Sequence, residues 1–143
     1  MEFSRYYTVA EVNDLLPEIR RQIEQLQIIK KEHQAKLEEL QELKLSMLKN
    51  TGPSLVGTNE DPFFALECSI DFLQLQARQI LKQFGDQEIM VKSIDAGLVD
   101  FPAKMNGEVV LLCWLKDEPS VLHYHGLNDG FWGRRKLDEG DLL

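Results

Sequence analysis

Cysteine is scarce in this chain of 143 residues: Cys68 and Cys113 form no C-x-x-C pair, and two thiols make no disulfide framework. A reducing, cytoplasmic setting is expected. No apolar run approaches the roughly 18 residues that span a bilayer, and the opening MEFSRYYTVAEV has no apolar segment of the secretory kind. No membrane partner is expected. Basic residues are in deficit, with 16 Lys and Arg against 24 Asp and Glu for a net charge of −8. Nucleic-acid binders release counterions through positive charge, so no nucleic-acid partner is expected either. Internal repeats and low-complexity tracts are missing. So are the nucleophile elbow G-x-S-x-G, the phosphate loop G-x-x-x-x-G-K-[ST], and a G-x-G-x-x-G following a strand. The acid pairs Glu38-Glu39, Glu60-Asp61 and Asp117-Glu118 have no partner across a cleft and read as solvated faces.

What is present is an ordinary globular composition, 43% hydrophobic and 28% charged, at the length of one domain. The reading is a single domain over 1–143, of class α+β: a long antiparallel helical hairpin (8–84, loop 50–61), a small antiparallel β-sheet (88–125) and a turn-rich C-terminal tail (126–143). Thr8 and Glu11 stand three apart as a capping box. Apolar residues follow at Val12, Leu16, Ile19, Ile23, Leu26, Leu37, Leu40 and Met47, interrupted at Lys30 and His33, the seam of a coiled-coil-like helix pair. His33 on that seam sets register rather than binding a ligand. Pro17 should kink the helix near Asn13 or restart it. Asn50-Thr51-Gly52-Pro53 stops it. Asp61-Pro62 opens the second helix, whose stripe is Phe63, Leu66, Ile70, Leu73, Ala77, Ile80 and Phe84, ending at Gly85-Asp86.

Helix one spans about 40 residues, roughly 60 Å, and helix two about 23, roughly 35 Å. Paired from the loop, helix two leaves Val12, Leu16, Ile19 and Ile23 without a helical partner. The sheet or a second copy of the chain must cover them.

In the sheet, Asn106-Gly107 marks a two-residue hairpin turn. Strand 108–115, EVVLLCWL, is apolar on both faces and belongs at the centre. Pro102 cannot donate to a ladder and puts its strand at the edge. The turn at 106–107 pairs Asp100 with Cys113 and Val99 with Trp114. A four-residue turn at 116–119 then sets Leu122 beside Cys113 and His123 beside Leu112. On that register Asp100 and Cys113 face one side while His123 and His125 face the other. The H-x-H pair lacks a third ligand on its face, so no metal and no cofactor is expected. Cys113 reads as an inert small hydrophobe.

In the tail, Gly126-Leu127-Asn128-Asp129-Gly130-Phe131-Trp132-Gly133 leads into Arg134-Arg135-Lys136, the one cationic cluster. Phe131 and Trp132 are expected to lock the turn onto the sheet, Trp132 partly buried, with Arg135 and Lys136 outward.

The run GLVDFPA at 97–103, LCW at 112–114, EP at 118–119, His125 and the GF-x-GR turn at 130–134 resemble a prokaryotic domain-of-unknown-function family, number 2203. The opening YYTVAEVNDLLPEI resembles that family's N-terminal stretch YFT-x-EEAN-x-LLP. The resemblance implies that Asp100, Trp114, Glu118, His125, Gly130 and Arg134 are pattern positions, and that His123 stands where an aromatic is usual. It implies no activity.

The candidate binding residues are therefore Asp100, Trp114, Glu118, His125, Phe131, Trp132, Arg134 and Arg135. The expected function is a non-enzymatic interaction or adaptor module, a homodimer through its helices, with a possible protein partner. The alternative is a small-ligand- or metal-binding enzyme using His125, Asp100 and Arg134, which requires those three to converge.

Overall fold

A computed structural model describes residues 2–49 and 61–138. The expected loop 50–61 and the last residues of the tail fall almost wholly outside them. Two helices come first, α1 (Val9–Leu48) and α2 (Pro62–Asp86). Five strands follow: β1 (Met90–Ser93), β2 (Leu98–Met105), β3 (Glu108–Leu115), β4 (His123–His125) and β5 (Arg135–Lys136). The chain divides into two compact units, residues 26–79 and residues 1–25 with 80–143.

The helix ends are set by their caps. Glu11 N donates to Thr8 Oγ1 at 3.1 Å and Thr8 N to Glu11 Oε1 at 3.2 Å, a reciprocal capping box. Phe63 N donates to Asp61 Oδ1 at 3.0 Å, with Pro62 at the first helical position. Pro17 does not restart the helix: α1 is assigned as one element from Val9 to Leu48.

The unit of residues 26–79 is a two-helix pair. Its seam on α2 is the expected one, with Leu66, Ile70 and Leu73 buried. On α1 the seam differs from the expected stripe. It runs through Leu26, Ile29, His33, Lys36, Leu40 and Leu43, whereas Leu37 and Met47 are exposed. The spacing 3-4-3-4-3 keeps His33 on the seam as expected and adds Lys36, whose side chain is 41% exposed, so hydrophobicity alone picks the wrong track beyond His33. His33 is fixed there by Gln74, whose Nε2 donates to His33 Nε2 at 3.1 Å.

In the other unit the sheet is a meander, β1-β2-β3-β4-β5, antiparallel throughout. The strand expected to be central is central, and Val110–Trp114 are buried in it. Asn106 (φ 54°) and Gly107 (φ 80°) make the turn between β2 and β3 in the left-handed region that Gly tolerates. Val12, Leu16, Ile19 and Ile23 are buried here. Their surroundings are the chain's own sheet and the end of α2: Arg20 lies 5.3 Å from the Trp114 ring, Val121 N donates to Asn13 Oδ1 at 2.8 Å, a Cβ on Gly97 would fall 3.6 Å from Ile23 Cγ2, and Gln22 Nε2 donates to Gln83 Oε1 at 3.1 Å. The length mismatch between the helices therefore gives no reason for a second copy.

Pro102 is not on an edge strand, since β2 pairs with β1 and β3. However, β1 reaches only to Met90↔Asp100. Beyond that point the outer side of β2 meets Tyr7 N, which donates to Pro102 O at 2.7 Å. A strand residue's N and O point the same way, so the missing N–H faces a neighbour that asks only for an acceptor.

Candidate functional site

Asp100 on β2, Cys113 on β3 and His125 on β4 lie on one face of the sheet, in a register that differs by one residue from the expected one. The pairs Asp100↔Cys113 and Val99↔Trp114 stand as expected. Across the next hairpin the pairs are Leu111↔His125, Leu112↔Tyr124 and Cys113↔His123. Because side chains alternate, that single residue moves both histidines onto the face of Asp100 and Cys113.

The cause is the connection, which is not a four-residue turn. Residues 116–122 form a loop built by side chains. The Glu118 carboxylate accepts Leu115 N at 2.8 Å, and Glu118 O accepts Trp114 Nε1 at 2.9 Å and Arg20 Nη2 at 3.1 Å. Val121 N goes to Asn13 instead of to β3. Pairing resumes only at His123.

The result is a buried cluster. Asp100 and His125 are 2% and 3% exposed, and Cys113 is fully covered. His125 Nε2 is 3.0 Å from Asp100 Oδ2, and His125 Nδ1 is 2.8 Å from Gly126 O. A carbonyl oxygen can only accept, so Nδ1 carries a proton. One further proton lies between Nε2 and the Asp100 carboxyl, whichever partner holds it. Asp100 Oδ1 is buried without a hydrogen-bond partner. The Cys113 thiol is pushed up to about 12, chiefly by burial and then by the Asp100 charge, with Arg134 acting the other way.

A half-buried polar group adjoins it. Arg134 Nη2 donates to Glu118 Oε1 at 2.6 Å and reaches Cys113 O at 3.4 Å. His123 Nδ1 lies 3.0 Å from Arg134 Nη2 and 3.1 Å from Glu118 Oε2. A bare Nδ1 accepts from the arginine; a protonated one donates to the carboxylate.

The remaining candidates scatter. Trp114 is buried on the opposite face, under Arg20. Phe131 stacks beneath Arg134, 5.1 Å from ring centre to guanidinium. Trp132 is not partly buried but 93% exposed, meeting Phe131 edge-on. Arg135 is exposed beside Tyr124 and Asp129. What locks the turn is Asp129, not the tryptophan: Gly126 N donates to Asp129 Oδ2 at 3.1 Å, and a Cβ on Gly133 would fall 2.5 Å from Asp129 Cβ. Gly126 and Gly133 thus leave room for the Asp129 side chain that closes the turn. Sequence reasoning set Cys113 aside, although its pairing with Asp100 was already legible.

Among curated proteins and among solved structures, nothing matches the chain. A family pattern does, over residues 5–137, which includes every residue of both polar groups. With nearly the whole chain matched, the protein belongs to DUF2203, a family of uncharacterised conserved proteins.

Proposed function

We propose that the protein is a non-enzymatic interaction module that self-associates through the helix pair of residues 26–79. The observation that supports this is a second apolar stripe on α2. Phe64, Phe72 and Leu75 are 66%, 60% and 59% exposed. Eleven residues are three helical turns, so Phe64 and Leu75 share one side and Phe72 sits between them. A helix with two apolar stripes is made for two neighbours, and a two-helix pair supplies one. Covering each of these side chains is worth about 1.5 kcal/mol, and a two-fold pair of hairpins, stripe on stripe, covers all of them twice.

The alternative, an enzyme using His125, Asp100 and Arg134, gains from the convergence of the first two. Against it stands their burial, which leaves a substrate no approach. Light scattering on the full chain across about 1–100 µM, the range of a micromolar dimer, tests the proposal. The dimer is expected, and Phe64→Gln with Phe72→Gln should give a monomer of unchanged helicity. A monomer throughout for the wild type would overturn it.

A further inference from the structure

We propose that Asp100, Cys113 and His125 bind a divalent transition-metal cation, zinc by chemistry, as a structural centre clamping β2, β3 and β4 together. Their ligand atoms, a carboxylate oxygen, a thiol sulfur and an imidazole nitrogen, all lie within 4.8 Å of one another. Three adjacent strands each contribute one, at the paired positions Asp100↔Cys113 and Leu111↔His125. Strand pairing thus fixes the spacing before any ion arrives.

Two details point to a cation rather than to a hydrogen-bonded pair alone. First, Asp100 Oδ1 has no partner although the residue is 2% exposed. Orphaned buried acceptors are rare because each costs about 1–3 kcal/mol. As a fourth donor it would be satisfied. Second, His125 presents Nε2 to the cluster while Nδ1–H is held by Gly126 O at 2.8 Å. Metal-ligating histidines are oriented in this way, by a backbone carbonyl on the other ring nitrogen.

The donor set chooses the ion. A sulfur and a nitrogen with one carboxylate suit zinc and its neighbours, whereas calcium and magnesium take oxygen cages. The charge also balances. One cation replaces two protons, that of the thiol and that shared by Asp100 and His125, which leave to solvent. The buried cluster stays neutral, with thiolate and carboxylate offsetting the dication. Arg134, whose charge acts on the Cys113 thiol, is already held at 2.6 Å by Glu118. Full burial means exchange waits on local opening, so the ion is best supplied as the chain folds.

The test uses the full chain carrying Cys68→Ser, which removes the exposed thiol. Protein produced in zinc-supplemented medium and purified without chelator is analysed for metal. A parallel sample produced with cobalt is read by absorbance for the thiolate-to-cobalt band. About one equivalent of metal and the band are expected. Asp100→Asn and Cys113→Ser, both near-isosteric, should each fold by circular dichroism and carry at least about tenfold less metal, the band vanishing with the thiol. Absence of bound zinc and cobalt from the Cys68→Ser protein would overturn the proposal, as would undiminished metal in folded Asp100→Asn.

Discussion

Replacing Asp100 by asparagine changes one atom of the buried pair, whereas removing His125 strands the carboxyl; the two should differ sharply in a chelator-treated protein. Asparagine keeps the shape, and its Nδ2–H can donate to His125 Nε2 while Nδ1–H still donates to Gly126 O, 2.8 Å away. The orphaned Oδ1 is no worse off. The expected loss is about 1 kcal/mol or less. His125→Ala deletes the donor 3.0 Å from Asp100 Oδ2 and leaves both oxygens of a residue 2% exposed without partners. Breaking a buried pair from one side costs about 3–5 kcal/mol. For a chain of 143 residues the unfolding entropy is about 0.3 kcal/mol/K, so the Tm should fall by roughly 10–17 °C, against about 3 °C for Asp100→Asn. The probe must report on the sheet, because residues 26–79 form a unit of their own. Trp114 fluorescence does so in a Trp132→Phe background, since Trp114 is fully buried and Trp132 is 93% exposed. Equal shifts for the two variants would refute the reasoning, because the charge and not the hydrogen bond would then be holding the strands.

In the Cys68→Ser protein, Cys113 should stay unlabelled by a thiol reagent at pH 8 in the native state, since its thiol is pushed up to about 12 by burial. Full labelling in denaturant is the control, and rapid native labelling would contradict the burial. Glu88 accepts Ser4 N, Ser4 Oγ and Arg5 N at 3.1, 2.8 and 3.0 Å, and these bonds hold its carboxyl below the usual range. A lowered folded value means that the tether is fully present above the ordinary carboxylate range and is lost as pH falls through the folded value. Protection of the Ser4 and Arg5 amides, meaning exchange relative to the intrinsic rate at the same pH, should therefore fall on acidification, and Glu88→Gln should show the same loosening at neutral pH. Arg134→Ala removes a guanidinium 13% exposed and bonded to Glu118, at an expected cost of about 2–3 kcal/mol. Trp132→Ala should stay within about 0.5 kcal/mol of the wild-type sheet by the Trp114 fluorescence melt.

The parts of the fold legible in the sequence are those whose causes are local. A capping box spans four residues, the α2 stripe repeats through one helix, and Asn106-Gly107 fixes the register of β2 against β3 by itself. Each was readable because the residues that determine it lie within a few positions of one another. The α1 seam beyond His33 was misread because polar Lys36 lies on it while apolar Leu37 and Met47 lie off it, and their place depends on α2. Strand β5 was missed for a similar reason: Arg135-Lys136 has no strand pattern, and pairs with β4 only because Asp129 folds the preceding turn.

The candidate site turns on one non-local choice. After β3 the sequence Asp117-Glu118-Pro119 suggests a short turn, and a short turn puts the histidines on the wrong face. The observed loop is longer because Asn13 and Arg20, about a hundred residues upstream, take up Val121 N and the carbonyls of Lys116 and Glu118. Those two helix residues thereby delay the start of β4 to His123, and the alternation of the strand does the rest. His125 reaches Asp100 and Cys113 because α1 lies where it does, with Val12, Leu16, Ile19 and Ile23 buried in the same unit. The apolar stripe that secures α1 and the polar residues beside it thus have separate tasks: one fixes the helix on the sheet, the other sets the register. A substitution at Asn13 or Arg20, neither of which touches the cluster, should therefore act on it through the pairing of β3 with β4.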